Sequence, residues 1–86
     1  MREVSTVNVF ELRIRGVDRP STLAAARWEL FAFPEIRDLV RMPGQHRFAV
    51  IYEGDVADAA AWCKELTDQG FPSEPIGRTD TAGEAA

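Results

Sequence analysis

The periodicity of the chain changes at Gly16, and this change constrains the fold more than any other feature of the sequence. Before it, residues 7–15 alternate between apolar and polar side chains, which is typical of a half-buried strand. The strand turns three residues toward a core: Phe10, Leu12 and Ile14. After Gly16, apolar residues recur at helical spacing, with Asp18 suited to the N-cap and Pro20 to the first turn. The sequence therefore predicts a strand that runs directly into a helix.

A hairpin and a second helix follow. Residues 36–42 and 47–53 favour two further strands, which are joined by a turn at a Pro-Gly pair. A helix then starts near Asp55 and Asp58, whose carboxylates suit an N-cap and an acidic first turn. The core face predicted for this helix consists of Val56, Ala59, Cys63 and Leu66.

The last strand is expected in residues 71–76. Pro72 and Pro75 cannot donate to a central ladder, so this strand belongs at an edge of the sheet. The element order is then βαββαβ, which predicts the ferredoxin-like α+β sandwich, a four-stranded antiparallel sheet with two helices on one face. We expect this single domain in residues 1–77, and we expect the polar, alanine-rich residues 78–86 to form a disordered tail.

The composition argues against several classes of protein. The chain carries 10 Lys and Arg against 14 Asp and Glu, and this acidic balance argues against a nucleic-acid binder. Its one cysteine excludes an intramolecular disulfide and a cysteine cage for a metal within one chain. No apolar run approaches the roughly 20 residues of a membrane span, and the first residues lack the apolar segment of a signal peptide. We therefore expect a cytoplasmic protein that does not contact a membrane.

Three short segments stand at the ends of the predicted helices: residues 16–22 (Gly-Val-Asp-Arg-Pro-Ser-Thr), 33–36 (Phe-Pro-Glu-Ile) and 68–71 (Asp-Gln-Gly-Phe). They resemble motifs of the heavy-metal-associated domains, a family that includes copper chaperones and the metal-binding repeats of copper-transporting ATPases. The family pattern has Gly-Met-Thr-Cys-x-x-Cys opening its first helix, a Leu-Pro-Gly-Val-like turn after that helix, and Asp-Ala-Gly-Tyr or Phe after the second helix. The resemblance extends over nearly the whole predicted domain and implies the ferredoxin-like fold.

The chain departs from this family at the motif that binds metal. Arg19 and Thr22 stand where the family has its two ligand cysteines. Cu(I) and Zn(II) at such sites need thiolates, whereas arginine has no lone pair to donate and a threonine hydroxyl is a hard, weak ligand. Cys63 is expected in the core of the second helix, where it cannot replace them. We therefore predict a metal-free module that needs no cofactor.

Arg19, Ser21 and Thr22 form a candidate anion site at the start of the first helix. A helix N-terminus offers free N–H groups, and a guanidinium adds a bidentate fork for phosphate or carboxylate. Asp18, however, brings a negative charge to the same place, and Pro20 removes one donor. The alternative is a capped helix that carries a solvated arginine.

Two apolar surfaces are candidate interfaces. Trp28 and Phe31 lie with Ala24 on a second apolar strip of the first helix, and tryptophan is enriched at binding surfaces; the alternative is that these rings pack against neighbouring loops. The outer sheet face is the other candidate, and its aliphatic residues favour sheet-to-sheet dimerisation over RNA binding, which uses stacking aromatics. Those outward residues are Val9, Val40, Met42, Ala49 and Ile51. The alternative for this face is ordinary scattered surface apolarity.

The hypothesis that follows is a non-enzymatic interaction module, which self-associates or binds a protein partner through the outer sheet face and the Trp28 strip. The alternative is a small-molecule-binding protein or small enzyme, with a pocket beside the first helix or between the sheets of a dimer. The polar groups available to such a pocket are Arg13, Arg19, His46 and Tyr52. The sequence offers no nucleophile–base pair and no paired acids that would identify a catalytic centre.

Overall fold

A computed structural model describes residues 7–78 of the chain, and residues 79–86 of the expected tail lie outside the described residues. The elements are β1 (Val7–Ile14), α1 (Pro20–Leu30), β2 (Ile36–Arg41), β3 (Arg47–Glu53), α2 (Ala59–Asp68) and β4 (Ser73–Arg78). The strands form one antiparallel sheet in the order β2-β3-β1-β4. This element order and this sheet confirm the predicted ferredoxin-like fold.

β1 lies in the middle of the sheet, with Leu12 opposite Phe48 of β3 and Pro75 of β4. β4 is an edge strand, as its prolines predicted. The register between β1 and β4 shifts between Glu11 and Leu12, where Pro75 has no N–H to donate. β4 begins at Ser73, two residues later than expected.

The end of α2 explains the late start of β4. Gly70 adopts a positive φ of 96°, and its N–H donates to the carbonyl of Thr67 at 3.1 Å. The N–H of Phe71 donates to the carbonyl of Leu66 at 2.8 Å. These two bonds form a Schellman motif, so residues 70 and 71 complete the helix end instead of beginning the strand.

The core lies between the two helices and the inner face of the sheet. Its buried members are Leu12, Ile14, Val17, Ala26, Leu30, Ile36, Leu39, Phe48, Val50, Tyr52, Ala59, Trp62, Cys63 and Leu66. Trp62 is fully buried, with its ring centroid 5.3 Å from that of Tyr52. The Trp62 indole N–H donates to a carboxylate oxygen of Glu35 at 3.0 Å, which satisfies the one polar group of this side chain.

Both helices begin later than the acidic residues suggested. The N-cap of α1 is Arg19 and not Asp18, and the N-cap of α2 is Asp58 and not Asp55. Val56 therefore lies in the loop before α2, where it is 76% exposed, and the prediction that it belongs to the core is wrong. Within residues 7–78, neither helix combines the length and apolarity that a bilayer span requires.

Arg27 of α1 covers the open edge of β2. Its Nη2 donates to the carbonyl of Leu39 at 3.1 Å, and its Nε lies 3.0 Å from a carboxylate oxygen of Asp38. The carboxylate of Asp38 in turn accepts a hydrogen bond from the N–H of Leu39 at 2.8 Å. A charged side chain thus occupies the hydrogen-bonding edge that a further strand would use.

Candidate functional site

The loop between β1 and α1 presents the two positions that correspond to the family's ligand cysteines. Gly16 adopts a φ of 85°, a left-handed conformation that glycine accommodates without strain. Val17, which follows it, is only 2% exposed and anchors the loop in the core. Asp18 and Arg19 are exposed, and their side chains approach each other only to 3.9 Å. The arginine at the first ligand position therefore extends into solvent from an anchored loop.

The hydroxyl of Thr22, at the second ligand position, is committed to the loop itself. It accepts hydrogen bonds from the N–H of Arg19 at 3.0 Å and the N–H of Asp18 at 3.1 Å. It also donates to the carbonyl of Arg19 at 2.9 Å. Thr22 thus performs the capping that the sequence assigned to Asp18, because it lies at the third helical position and reaches back over the N-cap.

The donor set of this loop does not fit the metals of the family. The guanidinium of Arg19 is a donor without a lone pair, and the oxygen of Thr22 is already engaged by two amides. Among residues 7–78, no three His, Cys, Asp or Glu side chains come together in an arrangement that could hold a metal ion. A soft ion such as Cu(I) would find no thiolate at this loop.

Cys63 offers no substitute thiolate. It lies on α2 in the core, and it is 7% exposed. Burial raises the pKa of the Cys63 thiol from 9.0 to about 11, and the negative charge of Glu74 adds to the rise. The side chain is therefore a protonated, buried thiol at neutral pH, in agreement with its expected role as a small apolar core residue.

A cavity of about 550 Å³ lies in front of α1. It is bounded by the β1–α1 loop, the first turn of α1, the end of β2 and the turn between β2 and β3. Its lining residues are Val17, Asp18, Arg19, Pro20, Leu23, Arg41, Gly44, Gln45 and His46. The cavity thus joins an apolar wall from α1 to a rim that carries two guanidinium groups and an imidazole.

Arg41 links the two sides of this cavity. Its Nη2 donates to the carbonyl of Val17 at 2.9 Å, and its guanidinium carbon lies 5.1 Å from the centroid of the Phe48 ring. Stacking of this kind fixes the plane of a guanidinium and leaves its edge available for further hydrogen bonds. Arg41 therefore has both a defined position and spare donors.

The turn between β2 and β3 is shaped by two residues with positive φ, Gly44 at 108° and His46 at 59°. The φ of Gly44 favours glycine, and a Cβ atom there would come within 2.8 Å of the Cδ atom of Arg47, so the arginine side chain would have to move. The carbonyl of His46 accepts a hydrogen bond from the N–H of Ile14 at 2.9 Å, which ties the turn to β1. His46 consequently lies at the cavity in a fixed turn.

The structure brings only part of the predicted ligand site together. Arg19 and His46 both line the cavity, whereas Ser21 and Thr22 do not. Arg13 pairs with Glu74 at 3.2 Å beside the β1–β4 edge. Tyr52 is fully buried in the core and is unavailable to a surface pocket, because it stands on the inner face of β3 beneath the helices.

Sequence reasoning missed Arg41 and Leu23 as cavity residues. Leu23 lies at helical spacing from the buried Ala26 and Leu30, which suggests a core residue, but it is only partly buried. Arg41 ends its strand just before a Pro-Gly turn, and its alternation with the outward-facing Val40 indicates the inner side of the sheet. That alternation was the available signal for an arginine close to the helix layer.

The exposed residues of α1 are all uncharged. We define the α1 outer face as its exposed residues after Pro20 together with the two residues that follow the helix: Ser21, Ala24, Ala25, Trp28, Phe31 and Ala32. Trp28 is 74% exposed and Phe31 is 43% exposed. With Glu29 and Ala32, the two rings line a groove of about 260 Å³.

The outer sheet face combines an aliphatic patch with ion pairs. Cross-strand register places Val9 opposite Ile51 and Val40 opposite Ala49, with Met42 just beyond the end of β2. Glu11, opposite Ala49, is 8% exposed and pairs with Arg47. The side chains of Arg13 with Glu74 and of Arg37 with Glu53 form two further ion pairs at the sheet. Charged side chains therefore interrupt the apolar patch that the alternation predicted.

Metal-binding domains of known structure share this architecture. A copper-binding domain from HMA7, a P-type ATPase, is 14% identical, with a TM-score of 0.69 over 85% of this chain and 99% of that one. The N-terminal domain of ZntA in its Zn(II) form is 10% identical, with a TM-score of 0.70 over 85% and 97% of the two chains. A third structure, which concerns crosstalk between Cu(I) and Zn(II) homeostasis, is 13% identical, with a TM-score of 0.64 over 79% of this chain and 97% of that one.

Sequence comparison adds no relative to these structures. No protein-family profile matches the chain, and no curated protein sequence is significantly similar to it. At 10–14% identity, structural likeness establishes the fold and leaves the activity open. The resemblance found in the sequence motifs is confirmed at that level: the chain has the ferredoxin-like fold of heavy-metal-associated domains.

Proposed function

We propose that this chain is a metal-free interaction module with the fold of a heavy-metal-associated domain, and that it dimerises through the α1 outer face. The observation that carries the proposal is that every exposed residue of α1 is uncharged, although Trp28 among them is 74% exposed. A surface helix ordinarily turns charged and polar residues toward solvent. A large aromatic side chain in such a position gains most from burial against a partner.

The shape of the α1 outer face suits a second copy of the chain. Ala24 and Ala25 lie near the middle of α1, and their small side chains allow another helix to approach closely. In an antiparallel pair related by a two-fold axis near these alanines, Trp28 of each copy would cover the N-terminal half of the other helix. The self-complementary arrangement would bury the exposed rings of both copies.

The charges at the ends of α1 fit the same arrangement. Arg19, the N-cap, is exposed at one end, and Glu29 is partly exposed in the last turn. Antiparallel pairing would place Arg19 of one copy near Glu29 of the other. It would also oppose the two helix dipoles, so electrostatics favour this orientation over the parallel one.

The outer sheet face contributes less to the proposal. Glu11 and Arg47 form an ion pair beside the aliphatic residues, and Glu11 is already 8% exposed. A second sheet docked there would remove water from the remaining exposed part of this pair. We therefore assign the interface to α1 and treat sheet-to-sheet contact as an outcome that the experiment distinguishes.

Sedimentation equilibrium of the full chain tests the interface. Trp28→Ala is expected to convert a dimer to a monomer, while the matched control Val56→Ala, at a loop residue that is 76% exposed, leaves it dimeric. An Ile51→Lys variant probes the outer sheet face and is expected to remain a dimer. A parent chain that stays monomeric at high concentration contradicts the proposal, as does dissociation caused only by Ile51→Lys.

The metal-free part of the proposal rests on the donor set at Arg19 and Thr22. Titration of the reduced chain with Cu(I) against a competing chelator is expected to show no stoichiometric transfer to the protein. A Cys63→Ala variant provides the control for adventitious binding to the buried thiol. Tight binding of one Cu(I) per chain would falsify this part and leave the dimer to be judged by its own measurement.

A second candidate function, the binding of a small molecule, is favoured by the cavity in front of α1. Its volume of about 550 Å³ and its mixture of apolar wall and cationic rim are features of ligand sites. The cavity is lined by the first turn of α1, whereas Trp28 lies in the last turns of the helix. The two candidate functions therefore use separate surfaces and can be tested separately.

A further inference from the structure

We infer that the cavity in front of α1 binds a small organic carboxylate with an apolar body. This inference rests on the second candidate function, ligand binding in the cavity, and is independent of the α1 outer face. It includes Arg19, one of the two positions that correspond to the metal ligands of the heavy-metal-associated family, and it assigns that position a different ligand chemistry. The argument comes from the apolar wall, the two guanidinium groups and the charge balance of the rim.

The wall of the cavity selects for an apolar body. Val17, Pro20 and Leu23 line it, and Val17 is held at 2% exposure in the core. Leu23 is only partly buried, so one side of its side chain remains open to the cavity. Apolar surface of a ligand placed here would be removed from water, which is the main source of affinity for small molecules in such sites.

The rim supplies hydrogen-bond donors from two separate elements. Arg41 at the end of β2 uses one Nη2 donor for the carbonyl of Val17, and its guanidinium has five N–H groups in all. Arg19 at the start of α1 is exposed, with no closer charged partner among the described residues than Asp18 at 3.9 Å. A carboxylate between the two guanidinium groups would accept charge-assisted hydrogen bonds in the planar geometry that arginine favours.

The main chain at the start of α1 contributes little to this recognition. Pro20 has no N–H, and the amides of Asp18 and Arg19 already donate to the hydroxyl of Thr22. The main chain at residues 18–20 therefore offers no free N–H, and the site inferred here is built from side chains across the cavity. Of the three residues of the expected anion site, only Arg19 takes part in it.

The charge balance favours a carboxylate over a phosphate. Asp18 lines the same cavity and offsets part of the positive charge of the two arginines. A phosphate group would carry close to two negative charges and three acceptor oxygens into a rim that already contains an acid. A singly charged carboxylate on an apolar group matches both the rim and the wall.

The test compares three probes by chemical-shift titration of the full chain: benzoate, benzyl alcohol and inorganic phosphate. Benzoate has the apolar body and the charge, benzyl alcohol has only the body, and phosphate has only the charge. Benzoate is expected to shift the amides of residues 16–23 and 41–47 saturably, and to bind about tenfold or more tightly than either other probe. Equal binding of benzyl alcohol, stronger binding of phosphate, or no saturable shift with benzoate overturns the inference.

Variants assign the effect to the two guanidinium groups. Arg41→Gln and Arg19→Gln are each expected to weaken benzoate binding about tenfold, whereas Arg15→Gln, an exposed arginine outside the cavity, leaves it unchanged. Among residues 7–78, the nearest charged partner of the Arg19 side chain is Asp18 at 3.9 Å. Arg19→Gln is therefore expected to leave the loop intact, and it tests the site even if Arg41→Gln disturbs the loop. Trp28→Ala is expected to bind benzoate as the parent does. Equal loss with Arg15→Gln would mean nonspecific charge attraction and would contradict the site.

Discussion

The guanidinium of Arg41 donates a hydrogen bond to the carbonyl of Val17 at 2.9 Å, so the end of β2 holds the loop that precedes α1. The contact spans 24 positions of sequence and closes one side of the cavity. Arg41 also stacks the plane of its guanidinium on the ring of Phe48. One side chain therefore fixes the loop to the sheet, by stacking on Phe48 and by its hydrogen bond to Val17.

Removal of this contact should loosen the loop. Arg41→Ala is expected to lower the free energy of unfolding by about 1–2 kcal/mol, because a charged donor to a part-buried carbonyl is lost together with a cation–π contact. Amide exchange in residues 16–20 should speed up more than exchange in β4. Urea unfolding and hydrogen exchange measure the two effects. Arg15→Ala is the control, and equal changes in both variants would contradict the assigned role.

Cysteines introduced at positions 19 and 22 should confer metal binding. The Thr22 hydroxyl lies 3.0 Å from the N–H of Arg19, so the two positions face each other over the first turn of α1. The double variant Arg19→Cys with Thr22→Cys, made in a Cys63→Ala background, is expected to bind one Cu(I) that the parent does not bind. Chelator competition measures this gain. Thr22→Cys alone is the control and should bind far more weakly, and a double variant without binding would show that the loop cannot converge two thiolates.

The hydroxyl of Tyr52 is buried and has no hydrogen-bond partner among the described residues. An unpaired buried polar group costs free energy, so Tyr52→Phe is expected to be neutral or stabilising by up to about 1 kcal/mol. Thermal and urea unfolding measure the change. Trp62→Phe is the contrasting variant, because it breaks the 3.0 Å bond to Glu35, and it should destabilise by about 1–3 kcal/mol. A clear loss of stability in Tyr52→Phe would reveal a partner for this hydroxyl.

Stability should fall at alkaline pH through Cys63. Burial raises the pKa of this thiol to about 11 from 9.0, so below pH 9 both the folded and unfolded states hold the proton and the full stability is present. As pH rises from 9 towards 11, the unfolded state ionises first and the free energy of unfolding decreases. Cys63→Ala should remove this part of the pH dependence, which urea unfolding at several pH values measures. Identical pH profiles for parent and variant would contradict it.

Much of the fold follows from local pattern. The alternation in β3 predicted residues 47–53, which are the bounds observed, and the prolines predicted the edge position of β4. The predicted N-caps were wrong, because more than one residue near each helix start is suited to the N-cap. Asp18 and Asp55 are good N-caps, yet Arg19 and Asp58 occupy those positions, because Thr22 caps the first helix from within and α2 begins only at Ala59.

The cavity was harder to predict than the fold, because its residues come from two separate stretches of the sequence, residues 17–23 and 41–46. Arg19 and His46 were expected near one pocket. Alternation along β2 indicates only the face of the sheet for Arg41, and no periodicity encodes its contact with Val17 in the other stretch. Tyr52 was expected to be available to a pocket, although its alternation with Val50 and Phe48 already assigned it to the core. The alternation along β3 thus predicted the position of the Tyr52 side chain better than the polarity of its hydroxyl did.

The residues at the two edges of the sheet limit how copies of this protein can assemble. Arg27 covers the hydrogen-bonding edge of β2, and β4, the other edge strand, is irregular at Pro75, where its register against β1 shifts. Neither edge favours backbone hydrogen bonding to the edge strand of another copy. Such pairing is the first step toward fibrils and domain-swapped assemblies. Contacts between copies must then be made by side chains, and these can separate and re-form without unfolding of the sheet.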